Sequence, residues 1–270
     1  MKQLLLILSI GLLTFGSGIS QNRYSEDEVV LPPNDSITYL KFDMKPLNGV
    51  VYCEFGDLAT FVNGKPDGLL RQWYENGQLH FETNFKDGKR DGLERQWRPT
   101  GQLVSERNQK AGETDGLWRE WHENGQLKFE VNLKEDQYDG LQRQWHENGQ
   151  LKVEQNFKDG KEEGLERQWY ENGQLHFETN YKDGKRDGLC REWYSNGQLN
   201  FERNYKDGKQ DGLHRRWYKD GRIMYETEFV KGTGVDKNYH ENGQLWMEEN
   251  YKDGRVISKK VWDVNGNPYN

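Results

Sequence analysis

The sequence predicts an all-β fold, an elongated single-layer antiparallel meander of tandem β-hairpins. Three observations carry this reading. Gly and Trp recur every 24 residues, apolar residues alternate with polar ones inside each period, and two turn signals divide each period into two strands. Composition agrees: of 270 residues only 33% are hydrophobic and 31% are charged, too little apolar material for a thick layered core. An aromatic content of 13% is nonetheless too high for a disordered chain, so apolar surface must be buried in thin, regularly spaced packets.

The first twenty residues, MKQLLLILSIGLLTFGSGIS, combine Lys2, an apolar run from Leu4 to Phe15 and small residues from Gly16 to Ser20. That is the tripartite pattern of a secretory signal peptide over 1–20. The run is shorter than the roughly 20 residues a spanning helix needs, so no stable membrane insertion is expected after cleavage. The mature chain is expected to be exported, to the periplasm, the extracellular space or the cell surface. Residues 21–48, with Glu26, Asp27, Glu28, Pro32 and Pro33, read as a flexible lead-in with one strand at 37–42.

Residues 49–270 form the repeat array, about nine repeats degenerate at both ends. Gly68, Gly92, Gly116, Gly140, Gly164, Gly188 and Gly212 fall in step, as do Trp73, Trp97, Trp121, Trp145, Trp169, Trp193 and Trp217. Residues 55–64 make a half copy, 239–254 a copy after a two-residue deletion, and 261–266 a worn last one. Within a copy, Leu79, Phe81 and Phe85 alternate with His80, Glu82, Asn84 and Lys86, the period of a strand. Asn76-Gly77 and its equivalents, such as Asn124-Gly125 and Asn172-Gly173, mark a hairpin turn. Lys-Asp-Gly, as at Lys86 and Lys182, closes each copy. Roughly eighteen strands at ~4.8 Å each would give a sheet about 85 Å long.

Two loop lengths fit the Asn-Gly signal. A two-residue loop sets Arg71 opposite Glu82 and Trp73 opposite His80. A three-residue Glu-Asn-Gly loop with a Gly bulge gathers Leu69, Trp73, Leu79 and Phe81 on one face, with the Arg71 stem over aromatic rings. The second is favoured because it collects the apolar columns, and the first stays open.

The unit W-Y-x-N-G-x-L-x-x-E-x-x-Y-x-x-G-x-x-x-G, present here as Trp169, Tyr170, Asn172, Gly173, Leu175, Glu178, Tyr181, Gly184 and Gly188, resembles the MORN-repeat variant family. Members are mostly uncharacterised bacterial proteins, some labelled as antitoxins of toxin–antitoxin pairs. The resemblance therefore implies binding to a protein partner and, for an antitoxin-like or immunity-like member, neutralisation of a toxin. An antitoxin acting in the cytoplasm would not need an export signal, so the partner is expected outside the inner membrane.

No catalytic, cofactor-binding or metal-binding residues are expected. Catalysis needs unlike groups converging at one place, whereas a linear array repeats the same groups. His122, His146 and His240 sit where sister copies carry Tyr74, Tyr170, Tyr194 and Tyr218, and His80 and His176 where others carry Lys128 and Lys152, as interchangeable residues do. Acidic pairs such as Glu162 and Glu163 lack calcium-loop spacing. Cys53 and Cys190 lie nearly six repeats apart, on the order of 50 Å, and should be unpaired. A net charge of −7 with interspersed signs excludes a basic stripe for nucleic acid and the cationic excess a membrane surface attracts. The columns running from Arg71 to Arg215 and from Glu82 to Glu226 read as a structural ladder across the sheet.

A single-layer sheet cannot cover its apolar face with its own chain, so partner binding is expected on the Trp column: Trp73, Trp97, Trp121, Trp145, Trp169, Trp193 and Trp217. The expected occupant is a protein or, through self-association, a second copy. The alternative is a cell-surface glycan-binding module, with sugars stacking on the periodic aromatics.

Overall fold

The computed structural model describes residues 22–30, 37–230, 233–253 and 255–269. The expected export signal over 1–20 lies outside the described residues. Twenty-two strands join one sheet. Its pairings are antiparallel between chain neighbours, except that Arg23–Ser25 runs parallel to Gly49–Cys53. The count exceeds the expected eighteen or so for two reasons. Strands form ahead of the repeats, and local breaks at Asp91 and Glu163 split two long strands into Lys89–Arg90 plus Gly92–Trp97 and Lys161–Glu162 plus Gly164–Trp169. All substantial strand contacts join neighbours in this ladder, as nearest-neighbour repeat stacking requires.

The hairpin of Gly164–Trp169 and Leu175–Lys182 shows how the sequence sets the geometry. Tyr170 donates its N–H to the Gln174 carbonyl and Gly173 donates to the Tyr170 carbonyl, both at 2.9 Å. Residues 171–173 thus form a three-residue loop whose last position, Gly173, needs a φ of +82°. Asn172 keeps an ordinary φ and accepts the Gln174 N–H on its side-chain oxygen at 3.0 Å. The closing turn is of the two-residue kind: Asp183 and Gly184 both have positive φ, 51° and 77°, and Lys182 pairs with Lys185, the pattern of a type I′ turn.

The longer loop is therefore the favoured one, but the apolar columns do not all share a face. A bulge leaves His80 unpaired, so that Phe81 pairs with Gln72 while Trp73 pairs with Leu79. One face, the Trp face, carries Leu69, Arg71, Trp73, Leu79 and Glu82. The other, the Phe face, carries Leu70, Gln72, Phe81, Thr83 and Phe85. The extra residue shifts the alternation by one, which sends Leu79 and Phe81 to opposite sides. Arg71 accordingly reaches Glu82 at 3.0 Å instead of lying over rings. Within the repeats, guanidiniums lie over rings on the Phe face, Arg90 above Phe81 at 5.9 Å and Arg186 above Phe177 and Tyr205 at 5.6 Å each.

The deepest burial runs along the middle of the Phe face. Thr83, Val131 and Thr179 are fully enclosed, opposite Leu70, Trp118 and Glu166. Instead of a flexible lead-in, 22–30 and 37–48 cap the first hairpin. Val29 and Leu47 join Val51, Ala59 and Phe61 in one cluster, with Tyr24, Leu40, Leu58 and Leu70 against it. The Gly64 carbonyl accepts from Thr38 at 2.6 Å while its N–H donates to Leu47 at 2.8 Å. No side chain fits there: a Cβ on Gly64 would stand 2.4 Å from the Ile37 Cγ2. The short strand Tyr39–Leu40 falls within the expected 37–42. At the far end, Arg255–Val261 is exposed along nearly its whole length, with basic residues of the kind that blunt an open edge.

Candidate interaction surface

On the Trp face, the Arg and Glu columns interlock between copies. Glu106 is shared by Arg95 and Arg119 at 3.4 Å each, Glu178 by Arg167 and Arg191 at 3.5 Å each, and Glu202 by Arg191 at 3.4 Å and Arg215 at 3.5 Å. Arg215 also hydrogen-bonds Glu226. The Glu130 hydrogen bond raises the Arg119 pKa, and the Glu226 one does the same for Arg215. These pairs are partly exposed, so each contributes modestly, and their main effect is to fix one copy against the next.

The seven tryptophans expected to bind a partner, Trp73 to Trp217, lie beside this ladder, and all are half-buried. None belongs to the strongly exposed apolar residues, which instead gather near the two ends, as Phe42, Phe55, Val256 and Ile257 do. The rings pack along the sheet and present only part of their surface, which is less than an uncovered apolar face would offer.

A second set of contacts, which the repeat pattern hinted at without explaining, runs along the loop edge. The Tyr170 hydroxyl donates to the Trp193 carbonyl of the next copy at 2.7 Å, and Tyr74 and Tyr194 do the same to Trp97 and Trp217 at 2.8 and 2.9 Å. His122 and His146 reach Trp145 and Trp169 through Nε2 at 2.9 and 3.0 Å. Tyr and His exchange at this position because either can present a donor there. The loop Asn adds a parallel tie, as from Asn148 Nδ2 to the Glu171 carbonyl at 2.8 Å.

On the Phe face, the variable column that holds Cys190 also holds His214. Arg203 Nε donates to His214 Nε2 at 2.6 Å, and the Tyr225 hydroxyl stands 2.8 Å from the same nitrogen. Burial, followed by the Arg203 and Arg216 charges, pushes the His214 pKa down to about 4. Cys53 and Cys190 are free, and burial pushes the Cys190 thiol pKa up. Among the described residues no group of three or more His, Cys, Asp or Glu is placed to hold a metal ion, and no helix is long and apolar enough to cross a membrane.

Repeated hairpins, each contacting its neighbours through the same ladder and the same loop ties, define a tandem-repeat scaffold. The chain belongs to the MORN repeat variant family, whose model matches residues 66–87, 114–135, 138–159, 162–183, 186–207 and 233–253. The copies between these matches keep the loop geometry: although Pro99 and Thr100 replace Glu-Asn, Gly101 still donates to the Arg98 carbonyl at 2.8 Å. No curated protein matches the sequence. Two solved structures, crystal structures of TcdB2-TccC3-Cdc42 and of TcdB2-TccC3-TEV, are each similar at 12% identity over 86% of this chain, with a TM-score of 0.22. The chain spans only 16% of the length of those chains, and a likeness at that score carries no argument here.

Proposed function

We propose that the array is a non-catalytic scaffold that binds a protein partner along its Trp face. One observation carries the reading: half-buried tryptophans recur in register beside an Arg–Glu ladder, with no second layer over them among the described residues. Aromatic and Arg side chains are the types enriched where proteins bind one another. A rigid row of them at fixed spacing suits a partner that is itself extended or repetitive. The export pattern over 1–20 supports a partner met outside the inner membrane, and neutralisation of that partner, after the antitoxin label some family members bear, is the finer reading we attach to it.

The test is affinity capture from an envelope fraction with residues 21–270 as bait, run beside sedimentation with wall polysaccharide. One stoichiometric protein partner is the expected result. Sedimentation with polysaccharide and no protein partner would overturn the proposal in favour of glycan binding.

A further inference from the structure

We propose that the Phe face carries a small-ligand site for an acidic sugar unit, where the copies starting at Gly116 and Gly140 meet. The site lies where the repeat departs from itself. The column of Leu70 and Glu94 carries an indole only at Trp118, and the column of His80 and Val104 carries lysine only at Lys128 and Lys152, in adjoining copies. These departures converge on one cavity. Trp118, Phe129, Glu120, Gln144, Lys128 and Lys152 line a space of about 290 Å³, close to the lower limit of small-ligand pockets, which suits a single ring.

Each wall has its own chemistry. Trp118 and Phe129 pack edge to face, 5.3 Å between centroids, and give an apolar side for the C–H face of a sugar ring. Glu120 and the Gln144 amide offer acceptors and a donor for hydroxyl groups, and His122, tied to the Trp145 carbonyl, closes one end. Lys128 is held by Glu120 at 3.4 Å. Lys152 is exposed and makes no hydrogen bond or ion pair with the described residues. Two cations against one anion leave an excess positive charge here, in a chain whose net charge is −7. Glu147 and Glu171 line the neighbouring cavity, which shares Lys152, His122 and Trp145 with this one, so the positive excess belongs to the Trp118 cavity alone. A carboxylate on the sugar is the group that complements a free Lys152.

Sister copies supply variants that the sheet already accepts: Trp118→Gln, after Gln142, and Lys152→Asn, after Asn200. The full chain would be titrated with a glucuronate-containing disaccharide and with its neutral counterpart, followed by amide and indole NMR shifts, with a thermal melt on each variant. The site predicts shifts centred on Trp118, Lys128 and Lys152 and roughly tenfold tighter binding of the acidic sugar, as a charge-assisted hydrogen bond gives. Lys152→Asn should erase that preference, and Trp118→Gln should abolish binding of both sugars. Equal affinity for the two sugars, shifts elsewhere or none at all, or binding indifferent to both substitutions would overturn the assignment.

Discussion

His214 is enclosed on the Phe face with Arg203 Nε donating to its Nε2 at 2.6 Å. A guanidinium can only donate, so this nitrogen must be bare and the ring neutral; a proton there would face the Arg203 N–H. The folded pKa is about 4, against 6.5 for a free side chain. Between these values the unfolded chain binds a proton that the folded chain does not, so stability falls as pH drops through that window and is unaffected above it. The linkage relation gives a loss of about 1 kcal/mol at pH 5.5 and about 3 kcal/mol at pH 4, relative to neutral pH. His214→Gln, the residue its column carries at Gln142, removes the titrating group. Carboxylates titrate in both proteins, so the quantity to read is the difference between variant and wild type in urea unfolding from pH 7.5 to 4. That difference should move in the variant's favour by about 3 kcal/mol. A difference independent of pH would refute the placement of a neutral His214 beside Arg203.

Three further substitutions test the packing. Thr83 is fully enclosed with no partner for its hydroxyl among the described residues, whereas Val131 fills the same place in another copy, so Thr83→Val should raise stability by about 1 kcal/mol in denaturant titration. Glu178→Gln breaks the bridge to Arg167 and Arg191; these partly exposed pairs should cost no more than about 1 kcal/mol, and the difference should shrink in 1 M salt. Tyr170→Phe leaves the Trp193 carbonyl without its donor and should cost about 1 kcal/mol in melting experiments, while Tyr170→His should retain most of that stability.

The repeat itself was legible because the Gly and Trp periods and the two turn signals are local chemistry: Gly173 and Gly184 are needed for backbone geometry whatever lies around them. The faces were not fully legible, because a single unpaired residue at His80 reverses the alternation and nothing in its identity announces a bulge. The deep column of Thr83, Val131 and Thr179 escaped notice for a related reason: its members vary between polar and apolar, and their burial comes from flanking rings. The terminal cap was missed because Val29, Leu47 and Phe61 meet from separate segments and follow no period. The Tyr and His exchange at 122, 146 and 240 was visible as a substitution pattern, but the carbonyl it serves belongs to the next copy and became apparent only once the copies were stacked.

Protein recognition is the role proposed for the Trp face. The most direct measurement compares capture of the partner by wild type and by the chain carrying Trp121→Ala, Trp145→Ala and Trp169→Ala, with melting followed in parallel. The variant should still unfold cooperatively, at a lowered temperature, and should no longer retain the partner at temperatures where it is folded. A folded variant that captures the partner as well as wild type does would contradict it.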